Sequence, residues 1–360
     1  MTATLTIADV ARAAGVSASA VSFALNDRPG VSAPTRERIL ATAAELGWTP
    51  SSSARALSRR RADVIGLVLA RPVDLLASDP FFPGLIAGIE SELAPRGQAL
   101  LLQVAEEGPD EVDRYRQLAR RGRVDGVLLS DLRLRDPRPA LLAELGLAAV
   151  AIGRPTGRTP IPSVVLDDRA GTAAAVDHLV GLGHRVIAHV TGPRGYLHSR
   201  SRGAAFTAAA RRSGLTRTRV VEADFTALGG ATATRALLAG NDPPTAIVYA
   251  SDAAALAGTS VATAVGLRVP GDLSIIGFDD IELGRAVQPA LTTIAGDPVG
   301  WGRAATRVLL EAVASARGDG PAPPRLTELS PARLVVRGST GAPAVARTTR
   351  PRSTTNRSTR

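Results

Sequence analysis

Aromatic residues make up only 3% of this 360-residue chain, so the places where they do occur carry information. Phe81 and Phe82 follow one apolar, strand-like run, Tyr196 follows VIAHVTG, Phe225 follows VVEAD, and Phe278 sits within GFDD. A ring face at a strand end can stack on a sugar or a base; the alternative is ordinary packing at the edge of a lobe. Other reactive types are poorly arranged for catalysis. The histidines, His178, His184, His189 and His198, show no metal-binding pattern, and the first pair is not spaced i, i+4. With no Cys there is no thiolate zinc site and no disulfide framework. Neither a P-loop nor a GxSxG elbow occurs, and GLGHR lacks the glycine spacing of a dinucleotide loop. The chemistry on offer is recognition, with no catalytic residue, metal or cofactor expected.

A second group of residues lies in the first fifty. Thr6 can cap a helix with Asp9 three residues on, and Ile7, Val10, Ala11 and Ala14 share one face. Gly15 suits the left-handed conformation that ends a helix, and Ser17 can cap a second one whose apolar face continues through Val21 and Leu25. Asn26 is a stop, and NDRPG reads as a loop. Ser32 caps a third helix with Pro34 in its first turn, a stripe of Ile39, Leu40, Ala43 and Leu46, and Gly47 at its end. The four-residue turn AGVS between the first two helices is helix-turn-helix spacing, and the alternative is a small bundle with no nucleic-acid role. The second helix, SASAVSFA, carries no Arg, Lys, Asn or Gln, the types that usually read base edges.

Beyond residue 63 the pattern changes. VIGLVLA, ALLLQVA, VDGVLLS and LAAVAIG are apolar runs of strand length separated by helical stretches, and SVVLDD, VIAHVTG, AIVYAS and LSIIGFDD resume the pattern. Strands alternating with helices predict parallel sheets covered on both faces, here in two lobes, with ligands beyond the carboxyl ends of the strands.

The stretches TIADVARAAGVS, VSFALN, VSAPTRERI, AAELGW and ARALSRR fall together as they do in the lactose-repressor (LacI/GalR) family of bacterial transcription regulators, which the chain resembles as far as about residue 338. The resemblance implies an all-α helix-turn-helix head and an α/β core like periplasmic sugar-binding proteins, with two lobes, parallel sheets and three chain crossings. It implies a hinge helix over Ser52–Arg59, with Leu57 as the apolar wedge in the minor groove. It places base reading at Ala18, Ser19, Ala20, Ser22 and Phe23, with Thr6, Ser17, Asn26 and Arg55 in the same DNA-contacting set. Many members carry Arg where Phe23 stands, which removes a bidentate contact worth ~1–3 kcal/mol of discrimination. Small side chains allow close backbone approach, while Ala and Phe can touch thymine methyl groups. Arg12, Arg28, Arg36, Arg55, Arg59, Arg60 and Arg61 are candidate phosphate partners. In the core, the resemblance matches Arg202 to the effector-binding arginine and Asp252 and Asp279 to ligand-binding acids, with Asp167 a weaker match. Many members have Asn where this chain has Ser251. With the aromatic positions, the expected effector set is Phe81, Phe82, Asp167, Tyr196, Arg202, Phe225, Asp252 and Asp279.

The net charge is +10 and every one of the 43 basic residues is Arg, which fits an anionic partner or a compositional bias. RALSRRR lies at the expected head–core boundary, and the tail after Gly341 is basic without acids. The expected organisation is a head over 1–50, a hinge over 51–62, a core over 63–338 and a disordered basic tail over 339–360. No apolar run approaches the ~18 residues that span a bilayer, and the N-terminus shows no signal-peptide pattern, so a cytoplasmic, nucleoid-associated protein with no membrane partner is expected. The leading reading is a sequence-specific transcriptional repressor. It would bind a near-palindromic, double-stranded operator as a homodimer under control of a small-molecule effector, a sugar first. A solute-binding protein with a silent head and a sugar-active α/β enzyme are the competing classes; the second would need a catalytic base or phosphate loop, and none is found.

Overall fold

The computed structural model describes residues 5–25, 29–48 and 61–344. The head contains α1 (Ile7–Ala14), α2 (Ala18–Leu25) and α3 (Ala33–Glu45). Their apolar faces meet in a core of Val10, Ala11, Ala14, Val21, Ala24, Ile39 and Ala43. The α1 N-terminus is fastened by Asp9, whose carboxylate accepts from the Thr6 backbone N–H at 2.9 Å and the Thr6 hydroxyl at 2.7 Å. Gly15 takes φ 63°, as the turn requires, and α1 and α2 meet at 101°. Arg36 of α3 donates to the Ala24 carbonyl at 3.0 Å and so satisfies the end of α2. The expected α3 stripe is corrected at one position: Leu40 is exposed, because burial falls on Ile39 and Ala43.

Each lobe is a six-stranded sheet. The first has the order β11-β5-β4-β3-β1-β2, all parallel. Its strands are β1 (Val64–Leu69), β2 (Ala99–Val104), β3 (Gly126–Leu129), β4 (Ala148–Ile152), β5 (Ser163–Leu166) and β11 (Leu326–Leu329). The second has the order β12-β10-β9-β8-β6-β7, from β6 (Val186–Thr191), β7 (Arg217–Glu222), β8 (Ala246–Tyr249), β9 (Ser274–Phe278), β10 (Thr292–Ala295) and β12 (Arg333–Val335). The all-parallel expectation is corrected at one edge, where β12 runs antiparallel to β10. The chain passes between the lobes after β5, after β10 and after β11, the three crossings the family likeness implied.

In the first lobe, α4 (Val73–Ser78), α5 (Phe81–Leu93), α6 (Pro109–Arg120) and α7 (Arg138–Glu144) cover the sheet, joined by α13 (Pro298–Ala316) after the second crossing. α5 and α13 pack closely because both carry glycine at the crossing: a Cβ on Gly88 would fall 2.1 Å from the Val299 carbonyl oxygen. In the second lobe the helices are α8 (Asp168–Gly181), α9 (Leu197–Arg212), α10 (Ala227–Leu238), α11 (Asp252–Ala264) and α12 (Glu282–Ala286). Strands such as β3 and β9 are buried along their whole length, as two-sided cover demands.

The core runs further than residue 338. Ser339 is buried, donating to the Ile275 carbonyl at 2.6 Å and accepting from the Thr292 N–H at 2.8 Å. The Gly341 carbonyl lies 2.9 Å from His184 Nε2. These bonds correct the expected start of the tail at 339; residues 345–360 lie outside the described residues.

Candidate functional site

On the head, Ser17, Ala18 and Ser19 are exposed at the start of α2, whereas Ala20, Ser22 and Phe23 are half-buried. The Ser17 hydroxyl oxygen accepts from the Ala20 N–H at 3.2 Å and caps the helix. The Phe23 ring packs against Gly30, whose added Cβ would stand 3.3 Å from it, so this ring is partly spent on the loop. Arg12 is paired with Asp9 at 2.9 Å but keeps an exposed side chain, and Arg61 pairs with Asp319 at 3.0 Å. Asn26, Arg28, Arg55, Leu57, Arg59 and Arg60 lie outside the described residues.

The second site is a cavity of about 110 Å³ between the lobes, built beyond the carboxyl ends of the strands of both sheets. Arg71 follows β1 and reaches into it. Its Nε and Nη2 donate to Asp131 at 2.7 and 2.6 Å, and its Nη1 donates to Asp79 at 2.9 Å. The same guanidinium lies 5.0 Å from the ring centre of Phe82, 5.1 Å from Tyr196 and 5.5 Å from Phe225. Tyr196, His198 and Phe225 form one stack, with successive ring centres 5.5 and 5.6 Å apart. Arg71 belongs to the first lobe and this stack to the second, so a cation of one lobe is capped by rings of the other. Beside it the Leu197 N–H donates to the Leu132 carbonyl at 2.8 Å, a further bond across the cleft.

Arg202, on α9, stacks on Phe278 at 3.6 Å and donates its Nε to Asp168 at 2.7 Å and an Nη1 hydrogen to the Ala250 carbonyl at 3.3 Å. Its other guanidinium N–H groups have no hydrogen-bond partner among the described residues. Asp167 caps α8 and is held by Arg169 at 2.8 Å. Trp301 donates to the Val164 carbonyl at 2.9 Å and meets Phe81 edge-on, and both rings line the cavity. Asp131, Phe225 and Asp279 all have positive φ, 51°, 68° and 111°. Such residues cost ~1–3 kcal/mol each and gather where the backbone must aim a side chain.

Burial sets the protonation states. It pushes the His198 imidazole down to about 3, helped by the nearby charge of Arg202, so this ring is neutral. It pushes the Asp279 carboxyl well above the ordinary carboxylate range, with Asp79 adding to the effect. Burial also acts to raise Asp131, but the Arg71 charge and hydrogen bonds together outweigh it and hold this carboxylate low.

The expected effector residues divide. Phe81, Asp167, Arg202, Phe225 and Asp279 line the cavity. Phe82 does not: it is 2% exposed, sits in the first lobe's core and supports Phe81 and Arg71 from behind. Tyr196 stands one layer back, in the stack. Asp252 is fully buried and works inside the second lobe. It accepts from the Thr293 hydroxyl at 2.6 Å and the Ile281 N–H at 2.9 Å, which ties the β9–α12 loop to β10. Sequence reasoning missed Arg71, Asp79, Asp131, Asp168, His198 and Trp301. Arg71 and Asp131 directly follow strand runs, and that position was the available signal.

A head whose second helix presents its N-terminal turn, joined to two lobes around a polar, ring-lined cleft, defines a ligand-responsive DNA-binding regulator. The family model for bacterial regulatory proteins of the lacI family matches residues 6–51, and that for the periplasmic binding protein-like domain matches 176–340. The chain is 33% identical over 312 residues to the HTH-type transcriptional regulator CelR of Thermobifida fusca, covering 86% of this chain and 92% of that one. Among solved structures it is similar to the Lac repressor dimer bound to operator and the anti-inducer ONPF. There the TM-score is 0.81 and the identity 30%, covering 94% of this chain and 99% of that one. A CelR–cellobiose complex matches with TM-score 0.71 and 31% identity, covering 93% and 99%. The chain belongs to the LacI family of bacterial transcriptional regulators. It is a DNA-binding regulator of transcription and not an enzyme.

Proposed function

We propose that the protein is a repressor that binds a near-palindromic operator as a homodimer and is controlled by a sugar held between its lobes. The observation that carries this reading is the cleft itself. Ring faces from both lobes stand beside a guanidinium with free N–H groups and a carboxyl with no ion-pair partner among the described residues. Hydroxyls donate and accept, so they suit both groups, while the rings suit the apolar faces of a pyranose. The solved relative in complex with cellobiose supports the choice of a sugar, and the operator-bound Lac repressor dimer supports the assembly. Phe81, Asp167, Arg202, Phe225 and Asp279 are the proposed effector contacts. Ala18, Ser19, Ala20, Ser22 and Phe23 are the proposed base-reading set, with Thr6, Ser17, Asn26 and Arg55 as further proposed DNA contacts and Leu57 as the proposed wedge.

Control follows from differential binding. A sugar that prefers one arrangement of the lobes can shift operator affinity only by that preference, typically ~1–3 kcal/mol or 5- to 150-fold. The test is to capture fragments of the source genome on the purified protein, sequence them, and repeat the capture with sugars added. A recurrent near-palindrome whose recovery falls with one sugar supports the reading. Capture without any recurrent sequence refutes it.

A further inference from the structure

We propose that the effector is an uncharged sugar and that Asp168 makes the cleft refuse phosphorylated ones. This rests on the sugar reading above and narrows it. A phosphate group is recognised by guanidinium or ammonium groups that have charge to spare, or by the open N-terminus of a helix. The guanidinium groups of this cleft have no charge to spare. Arg71 is held by two carboxylates, Asp131 and Asp79. Arg202 is paired with Asp168 at 2.7 Å, Arg169 with Asp167 at 2.8 Å, and Arg154 with Glu328 at 2.5 Å. Of the helices that start at the cleft wall, α5 and α9 have no side-chain cap but spend their first N–H groups on Asp79 and the Leu132 carbonyl, and α8 and α11 are closed by their own side chains. Asp167 caps α8, and Ser251 caps α11 with Asp252 in its first turn.

No positive charge is left over on the wall among the described residues. Asp79 is the second carboxylate on a single guanidinium, and Asp279 forms no ion pair among the described residues. His198 is neutral and adds no positive charge. A dianion would therefore meet guanidinium groups already neutralised by carboxylates, with the Asp131 and Asp168 charges on the same wall, a like-charge approach that is costly. A neutral polyol meets no such barrier. It can accept from Arg202 and exchange hydrogen bonds with Asp279, and the Arg202–Asp168 pair stays intact. Asp168 is the deciding residue because its partner, Arg202, is the cation nearest to being available. Without the Asp168 charge Arg202 would present an uncompensated guanidinium to the cavity.

The experiment is a calorimetric titration of the full chain with glucose, galactose, ribose and cellobiose, and with glucose 6-phosphate and ribose 5-phosphate. It is repeated on Asp168→Asn, which keeps an oxygen for the Arg202 Nε and loses the charge. For the wild type, a neutral sugar should bind at least about 10-fold more tightly than its phosphate. In Asp168→Asn that gap should narrow by about 10-fold or more. Equal or tighter binding of a phosphorylated sugar to the wild type overturns this proposal and leaves the sugar reading standing. If no sugar of either kind binds, the sugar reading falls and takes this proposal with it. If the variant weakens both kinds equally, Asp168 is not the discriminator. Should Asp168→Asn not fold, Asp167→Asn leaves Arg169 on the cavity wall without its partner charge and is expected to narrow the same gap; an unchanged gap there overturns the charge argument.

Discussion

Replacing Arg71 by Met should loosen the joint between the lobes, and the cost can be apportioned from the structure. The guanidinium and both its carboxylates are almost wholly buried, with side-chain exposures of 4% for Arg71, 9% for Asp131 and 13% for Asp79, so solvent screening gives little relief. Methionine fills the stem's volume but leaves two carboxylates facing each other without a cation. Breaking a buried pair in this way costs about 3–5 kcal/mol. That part is internal to the first lobe. The part that crosses the cleft is the contact with the Tyr196 and Phe225 rings, ~0.5–2 kcal/mol each when desolvated. A double-mutant cycle of Arg71→Met with Tyr196→Leu isolates the Tyr196 share. It is read from urea unfolding in a Trp48→Phe background, where Trp301 at the cleft is the remaining tryptophan. The expected coupling is ~0.5–2 kcal/mol, or about 2- to 30-fold in the unfolding constant. A coupling below ~0.3 kcal/mol would mean that the ring and the cation are neighbours without being partners, and the cross-cleft argument would fail.

The pH profile gives a second, sign-based check on the same change. In the wild type Asp131 lies below its ordinary value, so its contribution is present above pH ~4 and lost as the pH falls. Without Arg71 the main opposition to burial is gone, the carboxyl rises, and the variant should lose stability as the pH increases from that range. An unchanged slope would show that Arg71 does not control Asp131.

Arg202→Ala should keep operator binding and weaken the effector by about 10- to 150-fold, the worth of hydrogen bonds to a charged group, in a fluorescence titration; lost operator binding would instead make Arg202 structural. Burial raises Asp252 to about 6, so its ionisation opposes folding and wild-type stability should fall between pH 4 and 6, by about 3 kcal/mol. Asp252→Asn should make that segment shallower by about that amount, leaving the share of the likewise raised Asp279, while effector affinity stays within about 2-fold; an unchanged slope in the variant would place the titration elsewhere. Operator affinity should drop ~10³- to 10⁵-fold between 50 and 200 mM salt if a dimer neutralises about 6–10 phosphates, and a nearly flat response in a binding-shift assay would refute the phosphate-led reading.

What could be read in advance depended on how far apart the deciding partners lie. The head was legible because its caps and stripes act within four residues, as Thr6 with Asp9 and Ser17 with Ala20 show. Eight strands announced themselves as apolar runs, most because both faces are covered, and the edge strand β2 because its exposed positions are themselves Leu and Val. The four that did not are edge or near-edge pieces: in β7 (RTRVVE) and β11 (LTEL) exposed positions interrupt the run, while β10 (TTIA) is buried but opens on two Thr. Asp252 and Asp279 looked alike in sequence, and only Thr293, 41 residues from Asp252, tells the buried tie from the cavity wall. The electrostatics of the cleft are more remote still: Arg71 meets Asp131 across 60 residues and Arg202 meets Asp168 across 34. The net charge of +10 pointed to a protein that attracts anions. Yet each guanidinium group of the cleft is paired with a carboxylate. The excess positive charge must therefore be carried by other surfaces, so overall charge speaks for a DNA partner and against reading the cleft as an anion site.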